Sequence, residues 1–441
     1  MLAFLLPFTI VIAAASAQTP KGKSSAEPTS RQLEAVTKAF EARGWTHREW
    51  DGTHVYRLGD DGTDENMKGL PDVEFPVCVV ISGMGVTDDG MLFLSQLKGM
   101  TDLDITYTNV GDAGISHVCK QRKLQGLHLF GTKLTDSGLA HIRQLEGLTT
   151  LSISHHRGIT DAGIANLREL KALERLSLSG TGITDAGLAH LRDLKALTYL
   201  SLYDTGITDA GLVHLRGRAA LKELDLQGTR ITDAGLANLR ELKALVRLDL
   251  QKTAVTGTGL AHLSEMQDLV ELDLNESKVN TATHLRKLKK LRRLTLFDTP
   301  ISDAFLVDVG EIAGLTDLGL IGTNVTDAGM PHLRKLKSLT DLTVRQTKIT
   351  DAGLVDLGAI KSLKSLGMMD TAVSDAGLVH LRGLERLESL DLYGTRVTDA
   401  GLAHLRGFKS QKSLNLAKTK VTAAGVEELQ RAIPNCRISH Y

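Results

Sequence analysis

A segment of about 24 residues returns through most of this chain, and no other feature restricts its fold so severely. Leu221 to Ala244, LKELDLQGTRITDAGLANLRELKA, is one full copy. Leu221, Leu224 and Leu226 form an L-x-x-L-x-L run whose last two leucines alternate with polar residues. That alternation predicts a short strand with one buried face. Ile231-Thr232-Asp233 opens a predicted helix, with Thr232 as N-cap and Ile231 placed to pack on Leu236. Asp233 in the first turn, and Arg240 and Lys243 in the last, would complement the helix dipole. Leu236, Leu239 and Leu242 share the face that must cover the sheet. One unit cannot bury that face alone, but a stack of units can.

Thr229 stands where leucine-rich repeats place Asn or Cys, and the whole unit resembles a leucine-rich repeat. It is similar to the cysteine-containing subclass of F-box-type ubiquitin-ligase adaptors, with Thr replacing Cys. It is closer still to the I-T-D-A-G-L repeats of exported bacterial proteins. No F-box-like segment is read ahead of the repeats, so an adaptor role is not carried over. The resemblance runs from about residue 77 to the C-terminus. It implies an α/β solenoid, curved, with a parallel sheet on the concave side and helices on the convex.

The Thr slot recurs from Thr108 to Thr419, and Met84, Arg157, Ser277 and Thr299 complete fifteen units. Strands about 4.8 Å apart would then make a surface roughly 70 Å along the arc. At 441 residues the chain exceeds the usual size of one globular core, a limit that a one-dimensional stack escapes. Two units break the period. Ser154 to Gly158 carries one extra residue, read as a bulge, and the unit between Ser277 and Thr299 is two residues short. Its neighbours carry Gly257 for the usual Asp and Phe305 for the usual Gly, so units eight to ten are expected to be a kinked or softer middle.

Met1 to Ala17 reads as a signal peptide ending in Ala15-Ser16-Ala17, which implies secretion or release into a periplasm or cell envelope, with no membrane insertion afterwards. Residues 18–28 form a polar linker, 29–76 an N-terminal capping region, and 77–441 the solenoid with its C-terminal cap. A T-x-x-Q capping box at Thr29 and a strand pair about Trp50-Asp51-Gly52 are expected in the cap. The acidic residues Asp60, Asp61, Asp64 and Glu65 do not follow a calcium-loop spacing and read as a solvated loop. Cys78, Cys119 and Cys436 are too few for a disulfide framework; Cys78 aligns with Asp102 on the open strand face and Cys119 falls on a helix. Arg437 onward is expected to add a last edge strand.

Lys+Arg and Asp+Glu both number 52, so no net field argues for nucleic acid or a membrane surface. No phosphate loop, nucleophile elbow, cofactor motif or metal set is read, and the chain is expected to be no enzyme. The recurrent histidines (His190, His214, His262 and equivalents) share their slot with Asn166, Asn238 and Asp356, which suits a helix flank better than metal. The recurrent Asp and Arg positions predict one acidic and one basic rim. Arg286, Lys287, Lys289, Lys290, Arg292 and Arg293 form a denser basic run, the candidate site for an acidic polysaccharide or other polyanion.

The slot after the second strand leucine varies most: Ser179, Tyr203, Gln227, Gln251, Asn275, Phe297, Ile321, Arg345, Met369, Tyr393. Aromatics, Met and Arg are enriched at interfaces. Asp225, Asp249 and Asp273 share a neighbouring slot in successive strands. Tyr203 and the slot from Gln227 to Tyr393, with these three acids, are therefore expected to bind a protein partner.

Overall fold

The computed structural model describes residues 27–440, so the expected signal peptide and nearly all of the linker lie outside the described residues. Contacts divide the chain into two compact units, Met1–Ile207 and Thr208–Tyr441.

The N-terminal unit opens with helix α1 (Ser30–Glu41), started by the predicted capping box. The Gln32 N–H donates to Thr29 Oγ1 at 3.3 Å, and the Thr29 N–H donates to Gln32 Oε1 at 2.9 Å. Gly44, at φ +83°, turns the chain out of the helix. Strands β1 (Trp45–Trp50) and β2 (Thr53–Leu58) then pair antiparallel about Asp51-Gly52. Phe40 stacks on Tyr56 at 4.1 Å and meets Trp45 edge-on at 5.2 Å. Of the two tryptophans only Trp45 joins this buried block, for Trp50 is 56% exposed. β2 pairs in parallel with β3 (Val77–Ser82), so the block seats on the edge of the first coil. Parallel strands continue as β4 (Met100–Thr106), β5 (Gly126–Phe130), β6 (Thr150–Ser154), β7 (Arg175–Ser177) and β8 (Tyr199–Ser201).

In the C-terminal unit the parallel series is β9 (Glu223–Asp225), β10 (Arg247–Asp249), β11 (Glu271–Asp273), β12 (Arg293–Thr295) and β13 (Asp317–Gly319). It goes on through β14 (Asp341–Thr343), β15 (Ser365–Gly367), β16 (Ser389–Asp391) and β17 (Ser413–Asn415). β3 to β17 match the fifteen predicted units, and β18 (Arg437–Ser439) is the expected edge strand. Within one coil Leu221, Leu224, Leu226, Leu236, Leu239 and Leu242 are all buried. Each such side chain contributes about 1.5–3 kcal/mol by leaving water.

The helices are shorter than the sequence implies. In the copy beginning at Leu221 the helix is one turn, Asp233–Leu236, followed by i→i+3 turns such as Leu239 N–H to Leu236 O at 3.0 Å. Arg240 therefore lies beyond the helix, and the dipole account of the basic positions fails there. The extra residue after Ser154 is not a strand bulge either. Register runs unbroken from Leu151↔Leu176 to Ser152↔Ser177, and the insertion is taken up past the strand. There the buried His156 places Nε2 2.9 Å from Thr132 Oγ1. Cys78, expected on the open face, is buried, as are Cys119 and Cys436, and all three are free thiols. Burial pushes the Cys119 thiol up to about 12 and Cys78 further still.

The T-D-A-G-L motif has a cause that no single unit reveals. Each motif Asp reaches the N-cap of the next coil. Asp209 Oδ1 accepts the Thr232 N–H at 2.8 Å and Oδ2 accepts the Thr232 hydroxyl at 2.6 Å. Asp136 holds Thr160, Asp303 holds Thr326 and Asp375 holds Thr398 in the same way. The motif Gly leaves room for this carboxylate, since a Cβ on Gly235 would lie 2.2 Å from Asp209 Oδ1. Asp, Thr and Gly thus form one staple between neighbouring coils. Asp64 belongs to it, holding Thr87 at 2.8 and 2.7 Å, and so is not part of a solvated acidic loop. The Arg positions staple the other end: Arg216 donates to Asn238 Oδ1 at 2.9 Å and Arg406 pairs with Glu428 at 2.6 Å. Arg382 lies 2.5 Å from His404 Nδ1. The histidine slot is a place for a hydrogen-bond partner of the preceding Arg, which explains its exchange with Asn, Asp and Glu.

Candidate functional site

Three rows of side chains point outward from the strands of the C-terminal unit, while the intervening leucines point in. In the middle row Asp225, Asp249 and Asp273 stand in register on β9, β10 and β11. Each carboxylate accepts the N–H two residues on, from Gln227 at 3.0 Å, Gln251 at 2.9 Å and Asn275 at 2.9 Å. Burial first, then the Asp273 charge, pushes Asp249 up to about 7, and Asp225 adds to the effect. Burial raises Asp273 as well. Arg247 opposes both shifts but also faces Glu271, at 3.6 Å. Arg293, on the next strand, pairs with Asp317 at 3.3 Å.

The outer row carries the variable slot. Asn275 donates to Asp273 Oδ2 at 3.2 Å and accepts the Phe297 N–H at 2.7 Å, whereas Gln251 donates to Glu276 at 3.2 Å. Phe297, Ile321, Met369 and Tyr393 are half-buried. The Lys418 ammonium sits 5.2 Å from the centroid of the Tyr393 ring. Arg345 crosses two strands to Asp391 at 2.9 Å. Between the rows runs an open groove of about 280 Å³ whose floor includes Gly319, Thr343 and Gly367.

Residues 176–425 match the leucine-rich repeat region family. The chain belongs to the leucine-rich-repeat family. Among solved structures it is similar to an internalin from Listeria monocytogenes, at 22% identity and a TM-score of 0.55, over 78% of this chain and 88% of that one. It is also similar to a leucine-rich-repeat protein from Leptospira interrogans, at 20% identity and a TM-score of 0.59, over 79% and 91%. A TDR receptor aligns at 14% identity with a TM-score of 0.52, over 86% of this chain and 64% of the receptor. These likenesses are of fold, an α/β leucine-rich-repeat solenoid. No curated protein matches the chain in sequence.

The other residues singled out in this leucine-rich-repeat chain fall elsewhere. Tyr203 lies in the N-terminal unit, in an aromatic series of Tyr107, Phe130 and His155 with centroids 5.0, 4.9 and 6.4 Å apart. Beside it the strand face is closed by a chain of hydroxyls: Ser154 to Ser177 at 3.1 Å, Ser177 to Ser179 at 3.0 Å, Ser179 to Ser201 at 2.8 Å. Those groups satisfy one another and leave little demand for a ligand. The basic run does not make one patch. Lys290 pairs with Asp268 at 2.6 Å, Arg292 donates to Gly314 O at 2.9 Å, and Lys289 donates to Arg286 O at 3.0 Å. Arg286 and Lys287 occupy the short turn Leu285–Lys287, whereas Arg293 is on β12.

Asp104 and His128, neighbours in register on β4 and β5, were not singled out by sequence. Burial pushes Asp104 up to about 6 and His128 down to about 4. They occupy the same middle row as Asp225, and following that row back through the repeats would have found them. Among the described residues no group of three or more His, Cys, Asp or Glu is placed to hold a metal, and no helix is long and apolar enough to cross a membrane.

Proposed function

We propose that this chain is an exported, non-catalytic binding protein that recognises a protein partner through the strand face of residues 208–441. The observation that carries this reading is the in-register row Asp225, Asp249 and Asp273 beside half-buried Phe297, Ile321, Met369 and Tyr393. Like charges held one strand apart are eased by a basic partner group, and apolar rings at the centre of a patch supply hot spots. The family and its solved neighbours support a binding scaffold. Export rests on the Ala15-Ser16-Ala17 site, and N-terminal sequencing of the recovered protein should begin at Gln18. A polyanion receptor is the weaker reading, because Lys290, Arg292 and Arg293 are already engaged.

The test is partner capture by the mature protein. Phe297→Ala with Tyr393→Ala should abolish capture without unfolding the chain, and high salt should weaken wild-type capture only modestly. Retained capture by that double variant, with loss in Arg286→Ala/Lys287→Ala, would assign binding to the basic run instead.

A further inference from the structure

We propose that the groove over β12 to β16 seats a basic side chain, arginine or lysine, carried by an extended segment of the protein partner. The inference rests on the strand-face reading and gives the partner its chemistry.

The groove exists because the middle row, acidic at Asp273 and again at Asp391, drops to Thr295, Gly319, Thr343 and Gly367 between them. An isolated glycine weakens a strand and marks a place of close approach. Here the two glycines let planar side chains lie across them. A Cβ on Gly319 would stand 2.2 Å from Phe297 Cε1, and one on Gly367 would stand 3.1 Å from Arg345 Nε. The Phe297 ring thereby forms part of the groove lining, a surface that attracts a cation.

The charges lining the groove do not balance. Arg293 and Arg345 face three carboxylates, Asp317, Asp341 and Asp391. Arg293 is held by Asp317 at 3.3 Å and Arg345 by Asp391 at 2.9 Å. Asp341 is exposed, accepts the Thr340 hydroxyl at 2.7 Å, and pairs with no cation among the described residues. Thr343, in the floor, has a buried hydroxyl oxygen without a hydrogen-bond partner among the described residues. Arg345 Nε is likewise buried without a partner among the described residues, which leaves one N–H for a backbone carbonyl of the bound segment. A groove with one carboxylate in excess, a ring face, an unpaired hydroxyl and one unpaired N–H suits a cation carried on a polypeptide. From β12 to β16 the groove crosses four strand spacings, about 19 Å, the length of roughly five to six extended residues. That length suits a polypeptide segment better than a single small amine.

The test uses the full chain and a fluorescent, acetylated pentapeptide of alternating glycine and arginine, read by anisotropy. The arginine peptide should bind, and its citrulline counterpart should bind about ten-fold more weakly. Asp341→Asn and Phe297→Ala should each weaken binding about five-fold, and Asp341→Asn should unfold at the wild-type temperature because the side chain is exposed. Equal affinity for arginine and citrulline, or an Asp341→Asn chain that binds as wild type, would overturn the proposal. So would displacement by spermine at the concentration at which unlabelled peptide competes, which would make a free amine the occupant. If the Phe297/Tyr393 double variant loses its partner while the peptide fails to bind, this inference falls and the strand-face reading stands. If the peptide binds and that variant still captures, the reverse holds.

Discussion

Asp249, on a strand, and Asp399, at a helix start, show how one residue type takes opposite roles in two surroundings. Asp399, a staple residue, is held below the usual carboxylate range by the Thr422 N–H and hydroxyl. Its contribution is present above the ordinary carboxylate pKa and is lost as the pH falls through the lowered value. Asp249, in the strand-face row, is raised from 3.8 to about 7 by burial and by its acidic neighbours. A raised carboxylate contributes stability that is complete below the unfolded value and disappears as the pH rises through the folded one. Asp249→Asn, which keeps an oxygen for the Gln251 N–H, should therefore be more stable than wild type at pH 8 by about 1 kcal/mol. At pH 4 the advantage should vanish, and urea denaturation at the two pH values measures it. A partner cation favours ionised Asp249, so capture should strengthen as the pH rises towards 7.

At the scale of the element, the repeat motif is legible in the sequence but its purpose is not. The strand alternation and the Thr232 N-cap are local, and the structure has both. The reason for Asp and Gly lies in the adjacent coil, 23 or 24 residues away, where a reading of one helix at a time does not look. Dipole complementarity was a sufficient local explanation and hid the staple. The Thr slot, read as a substitute for Asn or Cys, completes most coils from Thr181 onward by donating to the carbonyl three residues back, as Thr229 does to Leu226 at 2.5 Å. A double-mutant cycle checks the staple. Asp209→Ala removes two hydrogen bonds and should cost about 1–3 kcal/mol. Gly235→Ala drives a methyl into the same carboxylate and should cost about 1–3 kcal/mol. The double variant should cost clearly less than the sum, because the clash goes with the carboxylate. Additive losses would mean that the two residues act independently. Phe305 follows from the same logic. It fills the glycine slot of a coil whose predecessor offers Thr281 instead of Asp, and it is buried beside a unit shortened by two residues.

At the scale of the whole molecule, stability in a stack is a sum of coils and their interfaces. Gly257 and Thr281 replace two successive staple acids, and Ser302 caps its helix without a side-chain hydrogen bond. Hydrogen exchange should show Val279 to Ser302 opening before Ile231 to Thr256, where Asp209 and Asp233 both hold their neighbours. Equal protection would remove the staples from the account of stability. The binding surface was legible only in part. The variable slot and the three acids can be read from internal comparison of repeats, but Arg345 meets Asp391 over 46 residues of sequence and glycine 319 gains meaning only under Phe297. The most direct measurement places a photo-crosslinking residue at Ile321 on the strand face, or at Val355, an exposed residue of the helix Asp351–Leu357. Partner adducts should form from position 321 and not from 355. Adducts from 355 alone would contradict recognition through the strand face.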